Sequence, residues 1–81
     1  METREIEIQG KKYKIQELKH KEAAKILTEQ DAELRTKNLI VKSVLEPELK
    51  LEDIDELPIK VTLNILKEIN SINGFGETNF R

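Results

Sequence analysis

Cysteine is absent from this 81-residue chain, which excludes disulfides, thiol chemistry and a thiolate metal site. A secreted domain this small is usually stapled by disulfides, so the cytoplasm is the expected setting. Aromatic residues are scarce as well, at 4% against 37% charged residues. That balance favours a helical, well-solvated protein over a β-sandwich or a ligand-enclosing barrel. No apolar run approaches the roughly 18 residues of a membrane span. The charged opening Met1-Glu2-Thr3-Arg4-Glu5 is not followed by the apolar core of a signal peptide. A dominant charge sign is also missing. With 16 acidic and 14 basic residues the net charge is −2, without the positive excess typical of a nucleic-acid binder. The length fits one small domain, 1–81, able to bury only about 60% of its unfolded surface.

Periodicity divides the chain into a hairpin and about three helices, an α+β arrangement that is mostly helical. Arg4-Glu5-Ile6-Glu7-Ile8 and Lys12-Tyr13-Lys14-Ile15 alternate polar and apolar residues around a turn at Gln9-Gly10-Lys11, which predicts a β-hairpin over about 4–15. It places Ile6, Ile8, Tyr13 and Ile15 on one face, and that face must pack on helices because an isolated hairpin is marginal in water. A first helix is expected over about 18–27, with Leu18, Ala23, Ala24, Ile26 and Leu27 inward. Thr28-Glu29-Gln30-Asp31 reads as a weak capping box, with Asp31 reaching back, at the start of a second helix over about 28–46, stopped before Pro47. Leu34, Ile40, Val41, Val44 and Leu45 share one face of that helix, and Leu39 falls on the opposite, charged side. An acidic connector follows, with a short helical turn at 51–57. A third helix over about 58–73 opens with Pro58 at its first position and stops at Asn73-Gly74. The segment 74–81 reads as a flexible, fraying tail.

The third helix is the most informative element. At about 100° per residue its apolar set, Ile59 with Val61, Leu63, Ile65, Leu66, Ile69 and Ile72, spreads over roughly 200° of the surface. A surface helix needs an apolar stripe only a little over about 100° wide. The excess points to contact beyond the domain, either self-association or client binding through Ile65, Ile69 and Ile72. Leu39 is a further candidate contact, although a single exposed leucine is ordinary. Phe75 and Phe80 both lie beyond the last helix. Phe75 suits the apolar contact that accompanies a glycine helix stop, whereas Phe80 has no such local role and is a candidate partner anchor.

Signals for chemistry are weak. His20 is the single histidine and cannot assemble a usual zinc set without cysteines. Ser43 and Ser71 lack a nucleophile-elbow context. The acidic stretch from Glu46 to Glu56 lacks the ligand ladder and glycine of a calcium loop. Gly74-Phe75-Gly76 follows a helix, whereas phosphate loops precede one. No catalytic residue, cofactor or metal is therefore expected. The lysines at 11, 12, 14, 19 and 21, with only Tyr13 interleaved, read as a solvated face.

The run Ile6-Glu7-Ile8-Gln9-Gly10-Lys11-Lys12-Tyr13-Lys14-Ile15-Gln16-Glu17-Leu18, the step Val44-Leu45-Glu46-Pro47-Glu48-Leu49, the turn Asp53-Ile54-Asp55-Glu56-Leu57-Pro58 and the close Glu68-Ile69-Asn70-Ser71-Ile72-Asn73-Gly74-Phe75 resemble tail assembly chaperones of long-tailed bacteriophages and related prophages. The match covers nearly the whole chain, and its motifs are structural. Where similar sequences often open the first helix with Ser or Thr, this chain has Lys19, which cannot cap. The resemblance implies a non-enzymatic protein of the host cytoplasm that binds the aggregation-prone, helical tape measure protein and is absent from the mature virion. It also implies the short form of such a chaperone, with the tail tube protein engaged through a frameshifted longer form. The alternative function is a small nucleic-acid-associated regulator that uses the lysine-rich hairpin, against which the net charge argues.

Overall fold

The computed structural model describes residues 1–75, so Phe80 and the rest of the expected tail lie outside the described residues. The element order is β1 (Thr3–Ile8), β2 (Lys11–Gln16), α1 (His20–Leu27), α2 (Ala32–Ser43), β3 (Val44–Glu46), α3 (Leu51–Asp55) and α4 (Ile59–Asn73). The fold is α+β, a three-stranded antiparallel sheet in the order β1-β2-β3 with four helices. Gln9 and Gly10 both take positive φ, 53° and 81°, as the two-residue turn that matches strand twist requires. The pairing runs from Thr3↔Gln16 to Ile8↔Lys11. It puts Ile8, Tyr13 and Ile15 into the core at 7%, 3% and 0% exposure, with Ile6 packed beside them.

Local chemistry sets the helix ends. Lys19 precedes α1 without a side-chain cap. The chain leading into α1 is held from α4 instead, where Asn73 Oδ1 accepts from the Leu18 amide at 2.7 Å. Helix α2 starts at Ala32, four residues later than expected, and Asp31 does not reach back to Thr28 but is itself the cap, its Oδ1 accepting from the amides of Glu33 at 3.0 Å and Leu34 at 3.2 Å. Pro58 sits one position earlier than expected, as the extended residue before α4. Gly74 closes α4 at φ 74°. The Phe75 amide reaches back to the Asn70 carbonyl at 2.8 Å and the Gly74 amide to that of Ser71 at 3.3 Å, the paired bonds of a glycine stop. Phe75 packs on the core, as the sequence predicts for such a stop.

Three further expectations need correction. The second helix does not continue to Glu46, because Val44–Glu46 leaves it to pair with β2 through Ile15↔Val44 and Lys14↔Glu46. A β-branched Val44 and the extended geometry that Pro47 imposes on Glu46 both favour a strand. Leu45 is the extra residue of the resulting bulge and is 40% exposed, since a bulge re-aims its side chain. Leu39 does not face solvent. It is buried at 8% because α2 touches α1, α3, α4 and β3 and is covered on more than one side. Finally, α1 buries no residue fully. Ala23 and Ile26 reach the core, whereas Ala24 and Leu27 are exposed.

The core centres on α4, whose Val61, Ile65, Ile69 and Ile72 are 4%, 0%, 0% and 5% exposed and which packs on β1, β2 and α2. Arg4 fastens β1 to α4, donating to Ser71 Oγ at 2.9 Å and pairing with Glu68 at 3.5 Å.

Candidate protein-binding surfaces

Four of the residues expected to meet a partner are consumed by the chain's own core. Leu39, Ile65, Ile69 and Ile72 are at most 8% exposed, so a partner reaches none of them without opening the fold. Phe75 is half-buried, and Phe80 lies outside the described residues. The wide apolar arc of α4 is real, but the sheet covers the half that carries these isoleucines. The other half remains in solvent. Ile59 and Leu63 are 71% and 58% exposed, and Leu66, half-buried and packed against the core, lies at the inner end of the same row. At about 100° per residue this row sits roughly 130° around the helix from the buried one. Ile59 and Leu63 belong to the arc visible in the sequence. What the sequence lacks is the position of the sheet, which decides which half of the arc is free.

Beside the row lies a groove of about 370 Å³ between α2 and the α3–α4 junction, floored by Ile54, Leu57 and Ile59. Lys37 stands on its rim, bridging Asp55 at 2.6 Å and Glu33 at 3.1 Å. These partners, Asp55 first, hold its ammonium above the ordinary lysine value of 10.5. The rim charges satisfy one another, and the groove presents its apolar floor together with Ile59.

A second groove, of about 490 Å³, opens between α1 and α2. Lys21, Glu22, Lys25 and Ile26 line it from α1, and Asn38, Val41 and Lys42 from α2. Spacings of three and four residues put each set on one helix face. Lys42 pairs with Glu22 across the groove at 3.5 Å. The hairpin lysines are arranged differently. Lys12 and Lys14 stand opposite Glu7 and Glu5 on the neighbouring strand, and Lys11 Nζ lies 5.8 Å from the centre of the Tyr13 ring.

The remaining polar candidates have structural surroundings. His20 is exposed at the start of α1. Ser71 accepts from Arg4, and Asp53 accepts from the Lys50 amide at 2.9 Å. The Ser43 hydroxyl is buried without a hydrogen-bond partner among the described residues. Among the described residues no group of three or more His, Asp and Glu side chains could hold a metal ion, and no helix is long and apolar enough to cross a membrane. No family model matches the chain, and comparison with curated proteins and with solved structures gives no match.

Proposed function

We propose that this chain is a tail assembly chaperone of the long-tailed-phage type, a non-enzymatic protein that binds the tape measure protein and keeps it soluble during tail morphogenesis. It acts in the host cytoplasm and leaves before the virion matures. The observation that carries the reading is the exposed pair Ile59 and Leu63, 71% and 58% accessible and one helical turn apart, on the side of α4 that the core does not use. Single exposed leucines are ordinary. Two stacked apolar side chains, continued by Leu66 and by the floor of the neighbouring groove, make a patch of the kind that marks an interaction site. Side chains at i, i+4 and i+7 are what the apolar face of a helical client lays itself against. The high charge of the chain, 37% of its residues, keeps such a complex in solution. The client's identity comes from the resemblance of the hairpin, the proline steps and the Ile72-Asn73-Gly74-Phe75 close.

Co-expression with the tape measure protein tests the reading. The client is expected to be soluble with the intact chain and to fall to the chaperone-free level with Ile59→Ser/Leu63→Ser. Equal solubility of the client with and without the chain, or full activity of the double variant, rejects the proposal.

A further inference from the structure

We infer that the groove between α1 and α2 is a docking site for a short acidic amphipathic helix, distinct from the exposed row on α4. The two helices form a hairpin whose link, residues 28–31, is fastened by the Asp31 cap and by Arg35, which donates to the Glu29 carbonyl at 2.8 Å. They diverge enough to leave about 490 Å³ between them, within the size range of built ligand pockets, about 300–1,000 Å³. Ile26 and Val41 line this space and stay half-buried. Lys21, Lys25 and Lys42 surround them, and Glu22, the one carboxylate of the lining among the described residues, is already paired with Lys42. The groove is therefore positive, on a chain whose net charge is −2. Lysine stems can lie along apolar surface while their ammonium groups reach outward, which here means toward an anionic rim on the occupant.

These features define the partner's chemistry. The α1 wall is 8 residues long, about 12 Å at 1.5 Å per residue, which matches roughly two turns of helix. Two apolar residues one turn apart would seat on Ile26 and Val41, and carboxylates beside them would meet Lys21 and Lys25, the lysines that the Glu22–Lys42 pair leaves over. A second copy of this chain fits poorly. Its acidic helix α3 has 5 residues, with Ile54 buried and Leu51 its one exposed apolar side chain, and its exposed pair Ile59 and Leu63 lies beside Lys60 and Lys67, the wrong charge for a positive groove. A nucleic acid fits poorly because, among the described residues, no aromatic side chain lines the groove on which a base could stack.

The test is fluorescence anisotropy with a stapled helical peptide that carries two leucines one turn apart, flanked by glutamates. Lys21→Glu/Lys25→Glu is expected to weaken binding about tenfold or more, the loss of two charge-assisted contacts. Lys12→Glu/Lys14→Glu makes the same change of net charge on the sheet and is expected to leave binding intact. Lys42→Gln, a milder change on the other wall, should weaken binding in the same direction, and circular dichroism checks that each variant is folded. Replacing the peptide's leucines with serines should abolish binding. Four results overturn the inference: equal loss in the sheet control, undiminished binding by the leucine-free peptide, equal displacement by a single-stranded oligonucleotide, or a peptide-free self-association that Lys21→Glu/Lys25→Glu removes. The α4 row is untouched by these variants, so failure here leaves the proposed chaperone function standing.

Discussion

Helices α4 and α1 meet the rest of the molecule in opposite ways. Helix α4 buries Val61, Ile65, Ile69 and Ile72 under the sheet and α2, and still shows a second apolar row to solvent. Helix α1 buries no residue fully and rests on the core through Ala23 and Ile26. The difference separates two jobs that one apolar pattern can serve. On α4 a single element carries both the centre of the core and a free surface. On α1 most of the surface is spent on neither, and what the helix contributes is one wall of a charged groove. Stability should therefore concentrate in α4, and local opening in α1.

The strongest test of that contrast is truncation at the centre. Ile65 is 0% exposed, and Ile65→Ala should cost about 2–5 kcal/mol, the usual range for a buried isoleucine, as a lowered urea midpoint. Ile26→Ala on α1 should cost about 1 kcal/mol, because a half-buried side chain gives up less apolar area. A cost for Ile26→Ala equal to that for Ile65→Ala would erase the distinction. Native-state hydrogen exchange sharpens it further. Amides of α1 should exchange through local opening at low free energy, and those in the middle of α4 only on global unfolding.

Smaller effects probe the junctions between the elements. Ser43 buries a hydroxyl that has no partner among the described residues, a desolvation cost that alanine removes. Ser43→Ala should leave stability unchanged or raise it by up to about 1 kcal/mol, and a clear loss would reveal a hydrogen bond that Ser43 depends on. Smallest is the alkaline limb of the stability profile. Asp55 and Glu33 raise the Lys37 pKa above 10.5 in the folded state, so the folded chain holds this proton more tightly than the unfolded one. The contribution is fully present below the unfolded value and is lost as pH rises through the folded one. Thermal midpoints should therefore fall somewhat less steeply above pH 10.5 in Lys37→Gln than in the parent. Parallel slopes would mean that the bridge carries no linkage.

How much of this was legible in the sequence follows the range of each interaction. The turn at Gln9-Gly10 and the Gly74 stop depend on bonds within a few residues, and each is readable from its own segment, whereas 28–31 shows that a helix begins nearby without showing that Asp31 is the cap. Val44 as a strand depends on Ile15 in β2, and the local helical pattern hides it. Leu39 looks solvent-facing on a helix with one buried side, but α2 is covered on more than one. The candidate surfaces show the same limit. Ile59 and Leu63 stand in the visible apolar arc of α4, but only the packed sheet decides which part of that arc is left over. Lys21, with its basic neighbours, reads as a solvated charge until Ile26 and Val41 are seen to share one gap.

On α4 the row that builds the core, centred on Ile65, and the exposed row of Ile59 and Leu63 proposed to meet the client lie on different sides of the helix. The direct measurement is calorimetric titration of a purified helical tape measure segment into two variants, with thermal midpoints recorded alongside. Ile59→Ser/Leu63→Ser should lose the binding heat and keep its midpoint, since exposed substitutions usually shift stability by under about 0.5 kcal/mol. Ile65→Ala should lose midpoint and, held well below it, bind like the parent. Binding retained by the double variant, or binding lost in Ile65→Ala while that variant is still folded, would contradict the account.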